Sequence, residues 1–293
     1  MSVTFVVDRS ERGKLALTGA EAKDFLHGQV TNDIVGLQPG HGCYAAFLTH
    51  KGKMLGDMRV FDLGDELLLD CERVALQELF NMIRRYKLGR EVELHKRTLE
   101  LAEFSVIGPD APVLAGPEEH DNARVELGGV SVIAVTTDVG VDVFCAAQDR
   151  EAVRAALPFP DGDEAAAEVV RVESGRPRFG LDLDDSVIPQ EAGLNERAVS
   201  FTKGCYVGQE TVARLYYRGK PNRRLLGVRL SEPAAPGAEL RLGEKVVGKL
   251  GSVVVSPEHG PIGLALVRRE ANPGDTVEAD GTTALIVDIP FAR

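Results

Sequence analysis

The stretch KGCYVGQE, residues 203–210, sets a cysteine between two glycines, with a lysine before it and an amide and a carboxylate after it. These residue types at this spacing suit thiol chemistry. Cysteine reacts as its thiolate, and a nearby cation or a helix N-terminus favours that form. Lys203 stands two residues before Cys205 and is placed to tune it. VGQETVARLYYRG reads as a helix that starts just beyond Cys205 and ends at Gly219, so its free N–H groups lie close by. Gly204 and Gly208 permit backbone angles closed to other residues and let a ligand approach. Glu210, Arg214 and Arg218 fall at i, i+4 and i+8, the spacing of a surface ion ladder. On the residues alone two readings stand: an activated thiol in a shaped turn, or a strand-to-helix turn holding a buried thiol. No His or Asp adjoins in sequence to complete a nucleophile–base set.

The other reactive types are scattered. Cysteines stand at 43, 71, 145 and 205, which excludes C-x-x-C, zinc-ribbon and ferredoxin spacings. The six histidines form no H-E-x-x-H, so no metal is expected. Net charge is −11, which disfavours direct nucleic-acid binding. Two basic clusters could still hold an anionic ligand or be solvated faces: RRYKLGR at 84–90, and Arg214, Arg218, Lys220, Arg223 and Arg224. No apolar run approaches the ~18 residues that cross a bilayer. The N-terminus has its charge after a short apolar stretch, unlike a signal peptide, so a cytoplasmic protein is expected.

The chain has 293 residues, 44% of them hydrophobic, enough for two or three domains. VTFVVDRSERGKLALTG reads as strand, turn, strand. TGAEAKDFLHGQVTNDI reads as a helix with Thr18 as cap, Glu21 three residues on, and Ala22, Phe25 and Leu26 on one face. Residues 43–71 suggest a β-meander, followed by a helix over ERVALQELFNMIRRYKL. Residues 92–160 read as strands closed by a helix, QDREAVRAAL. DEAAAEVVRVESG reads as a helix ended by Gly175 and Pro177. Beyond 221, short apolar strands separated by Gly, Pro and Asp predict a small all-β barrel or sandwich. The order of elements fits an α+β protein.

Four stretches carry a family resemblance. KGCYVGQETVARLYYRGKPNRR resembles the K-G-C-[FY]-x-G-Q-E signature of the YgfZ-type folate-binding proteins, relatives of the glycine cleavage T protein, an aminomethyltransferase. LTGAEAKDFLHGQVTNDI is similar to that family's G-x-[DE]-A-x-x-F-L-x-x-x-x-T-N-D-[IV] motif. AAFLTHKGKMLGDMRV resembles its A-x-L-x-x-x-G-[KR]-x-x-x-D segment, and RVESGRPRFGLDL resembles R-x-E-x-G-x-P-x-x-G-x-D, which the T protein shares. The resemblance implies a three-lobed aminomethyltransferase-like folate-binding fold with mixed and antiparallel sheets and a C-terminal all-β barrel. It groups 1–50 with 160–220 as a discontinuous folate-binding lobe, 51–159 as an α+β ferredoxin-like lobe and 221–293 as the barrel.

The resemblance also implies roles. Glu173 matches the glutamate that binds the pterin ring of tetrahydrofolate, and a carboxylate can accept from both the ring N–H and the 2-amino group. Gln209, Glu210 and Arg214 join the folate pocket. Tyr86, Phe179 and Tyr206 could pack on the ligand's rings or within the core. The basic clusters would suit the ligand's glutamate tail. The T protein's catalytic Asp follows an Asn by seven residues; here those positions align with Asp70 and Gln77, and Gln cannot act as a base. Its counterpart of 203–210 also lacks the cysteine. The implied function is therefore a tetrahydrofolate-binding accessory of iron–sulfur enzymes and their assembly factors, supporting tRNA modification indirectly, with Cys205 available for thiol chemistry. The alternative is a folate-dependent one-carbon transferase.

Overall fold

The computed structural model describes residues 3–291. The chain forms two compact units. One takes Met1–Thr49, Leu55–Glu164 and Arg197–Val207; the other takes His50–Met54, Ala165–Glu196 and Gly208–Arg293.

The first unit contains β1 (Phe5–Asp8), β2 (Gly13–Thr18), α1 (Ala22–His27), β3 (Gly42–Leu48), β4 (Met54–Asp62) from Leu55 on, β5 (Leu67–Cys71), α2 (Leu76–Tyr86), β6 (Glu93–Lys96), β7 (Leu101–Ile107), β8 (Asn122–Leu127), β9 (Val130–Thr137), β10 (Gly140–Ala146) and α3 (Arg150–Ala156). These strands build two five-stranded sheets, ordered β3-β4-β5-β2-β6 and β1-β7-β10-β9-β8. The opening strand–turn–strand is not a hairpin. β1 pairs with β7, whereas β2 pairs with β5 and β6 in the other sheet. At the start of β2 a side chain on Gly13 would lie 2.9 Å from Cys71 Sγ, so glycine admits the close strand approach.

Period-two alternation serves both faces of β9 and β10. Val132, Ala134 and Val143 pack under Val153 and Leu157 of the α3 region. Ile133, Val135 and Phe144 turn the other way, onto Phe61 of β4 and Leu68 of β5. Beside this apolar seam lies a buried ion cluster. Arg12 Nε and Nη2 donate to the two oxygens of Asp70 at 2.9 and 2.8 Å. Arg59 Nε donates to Asp70 Oδ2 at 2.7 Å, and its Nη atoms reach Glu103 of β7 and Asp142 of β10. Lys14 Nζ, fully buried, donates to the carbonyls of Ser10 and Arg12 and stands 3.2 Å from Glu103 Oε2. Burial alone would raise the Asp70 pKa, but the Arg12 and Arg59 guanidiniums hold it well below the usual carboxylate range. Glu103 goes the other way: burial and the Asp70 charge push it up to about 7, against the three cations.

Helix α1 is shorter than its pattern suggests. It starts after Glu21 with no side-chain cap. Thr18 instead ends β2, with Oγ1 2.8 Å from His95 Nε2, and Glu21 binds Arg90 Nη1 and the Glu91 N–H.

The second unit holds α4 (Glu164–Glu173) from Ala165 on, the first half of α5 (Asn195–Ala198), α6 (Gln209–Arg218), and β11 (Arg223–Leu230), β12 (Glu239–Leu242), β13 (Lys245–Ser256), β14 (Gly260–Arg268), β15 (Thr276–Ala279) and β16 (Thr282–Val287). The six strands close into a barrel, β11-β14-β13-β12-β15-β16. Val228, Leu240, Leu250, Val267, Val277 and Ile286 fill it. Gly175, at φ +68°, ends the α4 stretch, and a side chain there would meet Ile289 Cβ at 2.7 Å. The register of β13 shifts between Leu250 and Val253. At this bulge Asp182 accepts from Ser252 N (2.7 Å) and Ser252 Oγ (3.0 Å), while Arg171 of α4 reaches Asp182 Oδ2 (2.9 Å) and Ser252 Oγ (2.5 Å). The fold is thus α+β with antiparallel sheets and a C-terminal all-β barrel.

The Asp70–Glu103 cluster sets a pH dependence. Glu103 has a folded pKa of about 7 against 4.5 for the free group, so its contribution to stability is full below about 4.5 and is lost as pH rises through about 7. In melting curves across that range Glu103→Gln should lack this loss. Asp70→Asn leaves the partly buried Arg12 and Arg59 guanidiniums short of charge and should cost about 3 kcal/mol by denaturant unfolding at pH 7.

Candidate functional site

The KGCYVGQE stretch is divided between the units after Val207. In the first unit, Lys203 Nζ donates to three backbone carbonyls: His27, Val30 at 2.7 Å and Asn32 at 3.0 Å. The first is the last carbonyl of α1, where the helix dipole is negative, so the ammonium caps that end. Burial lowers the Lys203 pKa to about 8, against the pull of Asp33 and Cys43. The ammonium also lies 5.0 Å from the centre of the Tyr206 ring. Lys203 therefore fastens 203–206 to the chain after α1, and its three protons all have acceptors. Tyr206 is buried, and burial raises its phenol to about 12.

Cys205 is exposed, which removes the buried-thiol reading. The other three thiols are shielded to different degrees. Burial raises Cys43 to about 12 and Cys145 to about 11, and Cys71 higher still. Sequence proximity gave no hint of His27. Its Nδ1 lies 3.2 Å from Asp33 Oδ1, and its Nε2 would be 3.7 Å from a side chain on Gly204, the neighbour of Cys205. Nδ1 is also 3.4 Å from the Val35 N–H, but the shorter contact to a carboxylate favours the tautomer with the proton on Nδ1 and Nε2 bare. Burial and the Lys203 charge lower the His27 pKa, against Asp33 and Asp24, so the ring is neutral at physiological pH. The ring thus lies beside Gly204, the residue that precedes Cys205. The signal was in the sequence, in the T-N-D-I motif that carries Asp33, but only folding brings it to residue 204.

A second buried carboxyl escaped the sequence reading. Asp57 is the last Asp of the A-x-L-x-x-x-G-[KR]-x-x-x-D segment. Burial raises its pKa to about 6, against a hydrogen bond from Tyr44, and its Oδ2 has no hydrogen-bond partner among the described residues. Asp70 is locked in the ion cluster. Gln77 lies on the exposed side of α2, with Nε2 on Asn81 Oδ1 at 3.0 Å, and Tyr86 ends the same helix half exposed.

In the second unit, Glu173 is the last residue of α4. Its Oε1 accepts from Ser256 Oγ at 2.5 Å, and that hydroxyl oxygen in turn accepts the N–H groups of Glu258 and His259. The carboxylate is thereby held against the β13–β14 turn. Its Oε2 makes no hydrogen bond among the described residues, which leaves one carboxylate oxygen as an unused acceptor. Gly208, at φ +85°, occupies the N-cap of α6, so the helix starts four residues beyond Cys205. Gln209 opens α6. Glu210, Arg214 and Arg218 are exposed and make no ion pair with one another, so the expected ladder does not form. Phe179 lies half-buried in the loop after α4.

Cys205 should be the fast-reacting thiol toward iodoacetamide in the native protein, mapped by mass spectrometry. His27→Gln should slow that reaction several-fold at pH 7 without shifting the melting curve. Equal rates in the two proteins would remove His27 from the site.

Comparison with known proteins agrees with the fold. Residues 2–139 match the GCVT N-terminal domain, and residues 222–291 match the CAF17 C-terminal beta-barrel domain. The chain is 27% identical over 310 residues to "Putative transferase At1g60990, chloroplastic" of Arabidopsis thaliana, covering 98% of this chain and 71% of that one. It is 28% identical to an aminomethyltransferase of Geobacillus kaustophilus, covering 98% and 86%. The fold matches the crystal structure of the glycine cleavage system aminomethyltransferase T from Bartonella henselae with a TM-score of 0.86 at 20% identity, over 99% of this chain and 87% of that one. The chain thus joins a region that matches the GCVT N-terminal domain to a barrel that matches the CAF17 C-terminal domain, in a fold shared with aminomethyltransferase T.

Proposed function

We propose that this chain binds tetrahydrofolate, or a one-carbon derivative of it, and serves iron–sulfur enzymes as an accessory whose working thiol is Cys205. The observation that carries the folate reading is Glu173: one carboxylate oxygen is anchored by Ser256 and the other is open. That geometry fits the paired donors on the pterin edge, a charge-assisted interaction of high directionality. Gln209, Glu210 and Arg214 belong to the same unit and are assigned to the same ligand. When bound, tetrahydrofolate would supply a carrier for one-carbon units. The protein's own part is to hold the ring edge at Glu173. The thiol reading rests on the exposure of Cys205 and on the neutral His27 beside its segment. Support of tRNA modification would then be indirect, through enzymes that carry clusters.

A second reading is a folate-dependent one-carbon transferase. It is favoured by the aminomethyltransferase of Geobacillus kaustophilus and by Asp57, a buried carboxyl whose pKa is raised to about 6. Turnover with the glycine-cleavage partners or with an N-methyl substrate would establish it in place of the first.

In calorimetric titrations the wild-type protein should bind tetrahydrofolate, and Glu173→Ala should weaken binding about tenfold or more. No binding by the wild type, or equal binding by the variant, overturns the folate reading. In cells deprived of the native protein, Cys205→Ser should fail to restore iron–sulfur enzyme activities. Full restoration would end the thiol role.

A further inference from the structure

The second unit carries a separate basic depression of about 400 Å³ at one end of its barrel. Four cations line it: Lys53, Arg223, Arg268 and Arg269. Against them stand two carboxylates, Glu191 and Glu270. In a chain with net charge −11, this is a local excess of positive charge.

The backbone forces these cations together. β11 and β14 run antiparallel with Arg223 directly opposite Arg268. Side chains in that relation are neighbours on one face of the sheet, and like charges there are destabilising. Arg269 N–H donates to Asn222 O at 3.0 Å, which carries the pairing one step further, and Arg269 lines the depression together with Arg268. Lys53 Nζ and Arg223 Nη2 both donate to one neutral oxygen, Ser186 O, at 2.6 and 2.8 Å. Glu191, itself buried, is taken up by Arg223 at 2.8 and 3.1 Å. Arg268 and Arg269 are exposed, and their side chains make no hydrogen bond or ion pair among the described residues. Two open guanidinium forks beside a lysine therefore face a cavity large enough for a small ligand, with only Glu270 left to oppose them.

We propose that this depression is a binding site for a multiply charged oxyanion, carrying phosphate or carboxylate groups that take both arginines through their N–H forks. It is separate from the Glu173 site. Glu173 binds Ser256, whose strand partner Gly260 begins β14, whereas Arg268 ends it. The two sites thus lie at opposite ends of a strand roughly 25 Å long. The bound anion would offset the Arg223–Arg268 repulsion and so stabilise the barrel end.

The test compares wild type with Arg268→Gln/Arg269→Gln, and with Arg241→Gln as a control on a barrel arginine paired elsewhere with Glu239. Pyrophosphate and citrate are the probes, with sodium chloride at matched ionic strength. Wild type and control should bind at least one probe by calorimetry and melt higher in its presence, whereas chloride should have no effect. The double variant should bind about tenfold or more weakly, and without probe it should melt no lower than wild type. Tighter pyrophosphate binding identifies a phosphate ligand, and tighter citrate binding a polycarboxylate. Absence of binding by wild type, or equal binding by the double variant, overturns the proposal. Glu173→Ala should bind the probe as wild type does, so this result is independent of the folate reading.

Discussion

Asp70 is the point on which the first unit turns. It comes from the middle of one sheet and receives two guanidiniums, Arg12 and Arg59. Arg59 then reaches across to Glu103 and Asp142 of the other sheet. A buried carboxylate is costly unless its charge is matched and its oxygens are bonded, and here both conditions are met by residues from separate strands. The cluster therefore fixes a register between sheets that apolar contacts such as Phe61 on Phe144 would tolerate in several forms. It also holds more carboxylates than cations once Glu72 is counted, so one proton stays near neutral pH, on Glu103.

Several motif residues serve the fold rather than chemistry. In RVESGRPRFGLDL, Arg171 and Asp182 clamp the β13 bulge and Gly175 ends the α4 stretch. Their rigidity positions Glu173, whose free oxygen is the group left over. In KGCYVGQE, Lys203 caps α1 and covers Tyr206, and Gly208 supplies the left-handed residue before α6. Cys205 is again what remains with no structural work assigned to it. Scaffolds of this kind hold a reactive group on segments whose own polar atoms are satisfied.

Local patterns were readable in the sequence. The apolar spacing and Gly219 located α6, and the strand–turn rhythm after 221 located the barrel. Reading failed where partners are distant. Arg12 and Asp70 are 58 residues apart and Arg59 and Asp142 are 83 apart, so no window contains the cluster. β1 and β2 are separated by only a short turn, yet each pairs in a different sheet. Glu21 had the spacing of a capping residue but binds Arg90 and Glu91 instead. The ladder from Glu210 to Arg218 had ideal spacing on an exposed face, where such pairs gain little. The facing arginines 223 and 268 depend on strand register, which composition does not encode.

The central claim is that Glu173 holds the edge of a reduced pterin. A crystal structure of the protein with a tetrahydrofolate derivative tests it directly. The account predicts ring N–H and 2-amino donors within about 2.7–3.2 Å of the Glu173 carboxylate, with Ser256 still bound to Oε1. A ligand seated elsewhere, with Glu173 left untouched, would contradict it.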